Sequence, residues 1–182
     1  HIESEELNLS GEINVNRASS WSNDNSVINA GSINISQNSA VGIYDSTVNC
    51  DNPNSDCITV RESSNMQINQ STLNWSNVDQ NWEGIIVWGS YLRLNNFTSN
   101  AYILIHHNAS LEAAEINLSC VSGNYGCLNL SYNSSAWIFD NSSLNSIDSY
   151  GITLGNNSSA DLEARITRSD NNEGIFINNM SV

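Results

Sequence analysis

Cys127-Leu128-Asn129-Leu130-Ser131-Tyr132-Asn133-Ser134-Ser135-Ala136-Trp137-Ile138 carries the pattern on which the fold turns. Leu128 and Leu130 alternate with Cys127 and Asn129. Alternate residues of a strand face one side, so this is a short strand with two side chains turned into a core. A corner follows, with Asn133 as its third residue, and then a second apolar pair, Ala136/Ile138. The same x-Φ-x-Φ cassette (Φ apolar) recurs eight times, starting at Glu12, Ser32, Cys57, Gly84, Tyr102, Cys127, Gly151 and Gly174. Its apolar positions are Ile, Leu or Val in every copy, from Ile13/Val15 to Ile175/Ile177. Successive starts lie 20, 25, 27, 18, 25, 24 and 23 residues apart, a period near 23. A repeat of that length is the signature of a solenoid.

The second apolar pair returns as Val41/Ile43, Met66/Ile68, Leu111/Ala113 and Ala160/Leu162. It comes one place early, as Leu92/Leu94, in the 18-residue repeat, and is degenerate (Trp21, then Asn23) in the first. A third apolar point follows near Val48, Leu73, Phe97, Leu144 and Ile166. The corner after the first strand has Asn38, Ser63, Ser90, Asn108, Asn133 or Asn157 as its third residue. Asn and Ser suit corners because their side chains bond nearby backbone groups, and Asn tolerates left-handed φ/ψ. A sandwich would need hairpin turns such as Asn-Gly or Asp-Gly, and neither occurs. A left-handed hexapeptide solenoid would hold its period at 18, and the leucine-rich L-x-x-L-x-L pattern is absent. Crossovers between parallel strands are overwhelmingly right-handed.

With these features the chain resembles the right-handed parallel β-helix superfamily, which includes pectate-lyase-like enzymes, phage tailspikes and autotransporter passengers. The resemblance covers about residues 12–177 and implies an all-β fold of about seven coils, with three short strands per coil. It implies no particular activity, because function lives in sites and not in the fold. Residues 1–11, acidic over Glu3–Glu6 and then Leu7-Asn8-Leu9, are expected to form a partial coil or a donated strand. Residues 12–182 are expected to form the β-helix domain, its last coil incomplete.

The net charge is −14, with five arginines (Arg17, Arg61, Arg93, Arg165, Arg168) and no lysine. Neutralising phosphates needs clustered cations, so nucleic acid and anionic membranes are poor partners. The acidic surface could recruit Ca²⁺, but the carboxylates are scattered and no D-x-D-x-D-G loop appears. No apolar stretch approaches the roughly 20 residues of a membrane span. His1-Ile2-Glu3 shows neither an initiator Met nor a signal-peptide pattern, as expected of a processed protein or an excised piece.

Cys50 and Cys57, like Cys120 and Cys127, are separated by six residues, and the two pairs occupy equivalent points three repeats apart. Such points would be about 14 Å apart at the spacing of neighbouring strands, whereas a disulfide needs Cα atoms within about 7 Å. Cys50–Cys57 and Cys120–Cys127 are therefore the expected bridges. Zinc is the rival, although its ligands would also lie three coils apart and neither loop contains His. Disulfides imply a secreted protein, extracellular or at the cell surface.

Thirteen of the 32 asparagines begin Asn-x-Ser/Thr: Asn8, Asn34, Asn69, Asn74, Asn96, Asn108, Asn117, Asn129, Asn133, Asn141, Asn156, Asn157 and Asn179. Chance pairing with 37 Ser and Thr would give about six or seven. N-linked glycans explain the excess, and so does independent selection of Asn and Ser by corners. Besides such glycans, the one cofactor left open is Ca²⁺ on the acidic surface.

β-Helix lyases and polygalacturonases place carboxylates on outward strand positions beside a groove. Taking the first and third cassette positions as outward, only Glu12 of the sixteen is a carboxylate. The second-strand face is richer, with Arg93, Glu112, Asp161 and Glu163 beside Trp137 and Phe139. His106 and His107 are adjacent, so on an extended chain they should point apart and share no metal. Ile86 and Leu104, flanked by Trp88 and Tyr102 and joined by Phe176, form an apolar surface. Exposed apolar patches mark contacts. Here the cover is the loop Leu73–Trp82, a partner or a stacked sugar. The expected function is a non-enzymatic structural or adhesive rod or filament subunit, joined end to end to copies of itself or to further coils. The alternative is a module that binds or cleaves surface glycans.

Overall fold

The computed structural model describes residues 2–3, 6–52, 55–76, 84–121, 126–147, 151–168 and 175–178. Among these residues there are eighteen strands and no helix, and every strand pairing is parallel. The register links like with like. Ile13 pairs with Ile33, Ile33 with Ile58, Ile58 with Ile85 and Ile85 with Ile103. Ile103 then pairs with Leu128, Leu128 with Ile152 and Ile152 with Ile175. Every cassette thus hydrogen-bonds to the next, an all-β parallel arrangement consistent with a β-solenoid. Ile33, Ile58, Ile85, Ile103, Leu128 and Ile152 are fully buried. Each such side chain contributes about 1.5–3 kcal/mol of hydrophobic stabilisation.

The corners owe their shape to residues in the left-handed region. After the first strand two consecutive residues adopt it: Gln37/Asn38, Glu62/Ser63, His107/Asn108, Tyr132/Asn133 and Asn156/Asn157. After the second strand one usually suffices, as at Asn25, Asp45, Gln70, Asn96 and Glu115. Buried serines stack beside the corners. Backbone N–H groups of Ser19, Ser39 and Ser64 donate to the hydroxyls of Ser39, Ser64 and Ser90 one strand along. A second line runs from Ser26 through Ser46 to Ser71.

Two positions differ from expectation. Ser90 is not the third corner residue: Gly89 alone takes the positive φ in the short repeat, and Ser90 joins the line of Ser39 and Ser64. The missing residue explains why Leu92/Leu94 comes one place early. Phe97 pairs with Ser71, while the small Ser99 pairs with Leu73, so large and small side chains exchange places and the interior volume is kept.

Repeat length varies where the third strand meets the next cassette. The junction is continuous in Glu6–Val15 and Val27–Ile35, and extra residues enter between Cys50 and Cys57 and between Cys120 and Cys127. Disulfides Cys50–Cys57 and Cys120–Cys127 close these insertions, with Cα atoms 5.5 Å apart in each. At the N-terminal side, Glu6, Leu7, Asn8 and Leu9 pair with Val27, Ile28, Asn29 and Ala30 of the same chain.

Candidate functional site

Three surface features carry side chains of chemical interest. The first is the outward row of the cassette strands, where Asn14, Asn34, Thr59, Ile86, Leu104, Asn129 and Thr153 lie in register. Ile86 and Leu104 are half-buried, and Trp88 is 49% exposed. Tyr102 does not belong to this surface. The first cassette position faces the inside of a corner, so Ser32, Cys57, Tyr102 and Cys127 are all buried. Tyr102 packs edge-on against buried Trp75 at 5.9 Å. Trp75 is held in turn by Asn100, whose side chain bonds both its N–H and its carbonyl in place of a neighbouring strand. Phe176 pairs with Thr153 through its backbone, and its side chain, like loop residues 77–83, lies outside the described residues.

The second feature is an aromatic stack at the first corner. His107 lies between Trp88 and Tyr132, with ring centroids at 4.2 and 4.8 Å and interplanar angles of 5° and 15°. His106 leans against the same two rings at 5.0 and 4.6 Å. The histidines do not point apart. His107 has φ 54°, which is not extended backbone, and this brings the two rings within 4.1 Å with Nδ1 facing Nδ1. Burial, and secondarily the neighbouring His107, lowers the pKa of His106 below the ordinary imidazole value.

The third feature is a groove of about 480 Å³ across the second strands, lined by Ser22, Gly42, Tyr44, Gln67, Tyr91 and Arg93. Tyr44 folds back over Gly42, where a Cβ would meet its ring at 2.6 Å, so any larger residue at this position would push the ring aside. At one end Glu112 accepts a hydrogen bond from the Tyr91 hydroxyl at 2.7 Å and pairs with Arg93 at 3.2 Å. Burial, then the bond to Glu112, pushes the Tyr91 phenol up to about 12. Trp137, 51% exposed and packed on Phe139, lies in register between Glu112 and Asp161. Those two carboxylates are therefore two strand spacings apart, roughly 9–10 Å along the stack. Arg93, Glu112, Trp137 and Asp161 were legible from strand alternation. Tyr44 and Tyr91 were not, although the Gly42-x-Tyr44 spacing on an outward face is the signal that would have found the wall.

Of the thirteen sequons, twelve lie on described residues and none is buried; Asn179 lies outside them. Asn34, Asn69 and Asn129 are half-covered, and Asn8, Asn74, Asn96, Asn108, Asn117, Asn133, Asn141, Asn156 and Asn157 are exposed. Several serve the fold. Asn74 donates to Asn49, Asn49 to Asn29 and Asn29 to Asn8, a side-chain ladder running along the third strands. Among the described residues there is no group of three or more His, Cys, Asp or Glu placed to hold a metal, and no helix able to cross a membrane.

No protein-family model matches this chain, and neither does any curated protein or solved structure.

Proposed function

We propose that this chain is a non-enzymatic structural or adhesive β-solenoid that acts outside the cytosol as a surface rod or filament subunit. In finer detail it is a right-handed parallel β-helix of about seven coils, with three short strands per coil and a period near 23 residues. The observation that carries this reading is the register of like residues that links each cassette strand to the next among the described residues. On the outside it aligns Asn8, Asn29, Asn49 and Asn74 into a row whose side chains bond one another. Growth along the axis is the natural mode of assembly. At the N-terminal end an apolar recess of about 460 Å³, lined by Leu7, Ile13, Val15 and Trp21, suits a further coil or a second copy. Two disulfides fit an oxidising extracellular environment.

Assembly is tested by light scattering and electron microscopy across a range of protein concentration. Rods that lengthen with concentration support the reading, and monodisperse monomers at high concentration overturn it. Intact mass before and after deglycosylation, on protein from a glycosylating host, determines whether the exposed sequons carry glycans.

A glycan-binding or glycan-cleaving module is the second reading, favoured by the groove with Tyr44, Tyr91 and Arg93 and by exposed Trp137. The Glu112 carboxylate is already engaged by Arg93 and Tyr91, which argues for a binding role over general acid catalysis. If cleavage is real, alanine at Glu112, Asp161 and Glu163 abolishes it.

A further inference from the structure

His106 and His107 bring two metal-ligating side chains together at the first corner. Their Nδ1 atoms face one another in direct contact. In two neutral rings the unprotonated nitrogens present lone pairs, and two lone pairs repel. The contact becomes favourable when one ring carries its proton on Nδ1 and donates to the other, or when a metal ion takes that proton's place. The rings are also braced. His107 is clamped between Trp88 and Tyr132, and His106 rests against both, so bringing the two donors together costs little further side-chain entropy. Two imidazoles suit late first-row metals, with Cu²⁺ bound most tightly. The chain's net charge of −14 raises the local concentration of cations. The cation nearest in register is Arg61, which pairs with Trp88 one strand further away.

We propose that His106 and His107, held by Trp88 and Tyr132, form a two-imidazole site for a divalent late transition metal, Cu²⁺ foremost, with water completing the coordination. Metal–nitrogen distances of about 2.0–2.1 Å require the two Nδ1 atoms to part to about 3 Å. A small rotation of His106, whose ring is tilted against its neighbours and not sandwiched, supplies that opening. The site does not depend on whether the chain is a rod or a glycan binder.

The test is titration of metal-free, disulfide-intact protein with CuCl₂ in a non-coordinating buffer at pH 7.5, following tryptophan emission. Saturable quenching at one Cu²⁺ per chain is expected, because Trp88 is stacked on His107. His106→Gln and His107→Gln should each weaken binding at least tenfold. Trp88→Phe should lose most of the quenching, and His1→Ala should change neither the affinity nor the quenching. In the unsubstituted protein, Zn²⁺ should shift the Nδ1 resonances of two histidines in long-range ¹H–¹⁵N spectra. Parent-like binding by His106→Gln, loss of binding in His1→Ala, or displacement of Cu²⁺ by millimolar Ca²⁺ would each overturn the proposal. So would Zn²⁺ spectra in which fewer than two histidines respond, a measurement that needs no variant to fold.

Discussion

Tyr91 shows how one side chain couples the groove to solution conditions. Its phenol is partly desolvated and donates to Glu112, so the ionised form is disfavoured and its pKa rises to about 12 from an ordinary 10.0. A folded-state pKa above the unfolded value means that the native state holds its proton longer. The stabilisation is complete below pH 10 and is lost as pH rises towards about 12. Spectrophotometric titration of phenolate should show one tyrosine ionising near 12, with that component absent in Tyr91→Phe. Glu112→Gln should bring it back towards the usual range, because a carboxylate acceptor and its charge are removed together. Single residues also make the corners. Asn38, Asn133 and Asn157 occupy left-handed φ, a conformation that sequence composition alone suggested. Glu62, His107 and Tyr132 occupy it as well, without the Asn side chain that favours it, and no residue-type rule would have placed them there.

Strands and corners are tied together by the buried serines. Ser64 is fully buried, and its hydroxyl accepts from the Ser39 N–H while its own N–H donates to Ser90. Ser64→Ala would leave a buried backbone N–H without its acceptor, at a cost of about 1–3 kcal/mol. Urea unfolding should show that loss, whereas Ser135→Ala, at an exposed position three strands along, should stay within about 0.5 kcal/mol of the parent. Ala109 takes the place of this serine between Ser90 and Ser134, as the neighbouring backbone bonds show. The ladder therefore has a gap beside the corner that carries His107. The serines were readable as corner residues. Their stacking from strand to strand was not, because it depends on register between residues 20 to 26 positions apart.

The molecule as a whole gains most of its order from contacts between repeats, so its weakest points are the insertions that interrupt the repeat. The Cys50–Cys57 bridge closes one of them with both cysteines buried. In the chain-entropy picture a loop of this size is worth about 2–3 kcal/mol. Cys50→Ala/Cys57→Ala should lower unfolding stability by about that amount and admit early proteolysis within residues 51–56. A protein whose cleavage pattern and denaturation midpoint are unchanged by the double substitution would show that the neighbouring strands alone hold the insertion.

Alternation and repetition were enough to specify strands, their inward pairs, their partners one repeat away and the two bridges, because each depends on period or on local spacing. The exchange of Phe97 with Ser99, the burial of Tyr102, the Gly42–Tyr44 wall and the convergence of His106 with His107 required the folded chain. Each depends on how a corner turns or on which side chain lies one strand above another. A one-dimensional pattern counts residues, whereas a corner with φ near +54° reverses where the next side chain points.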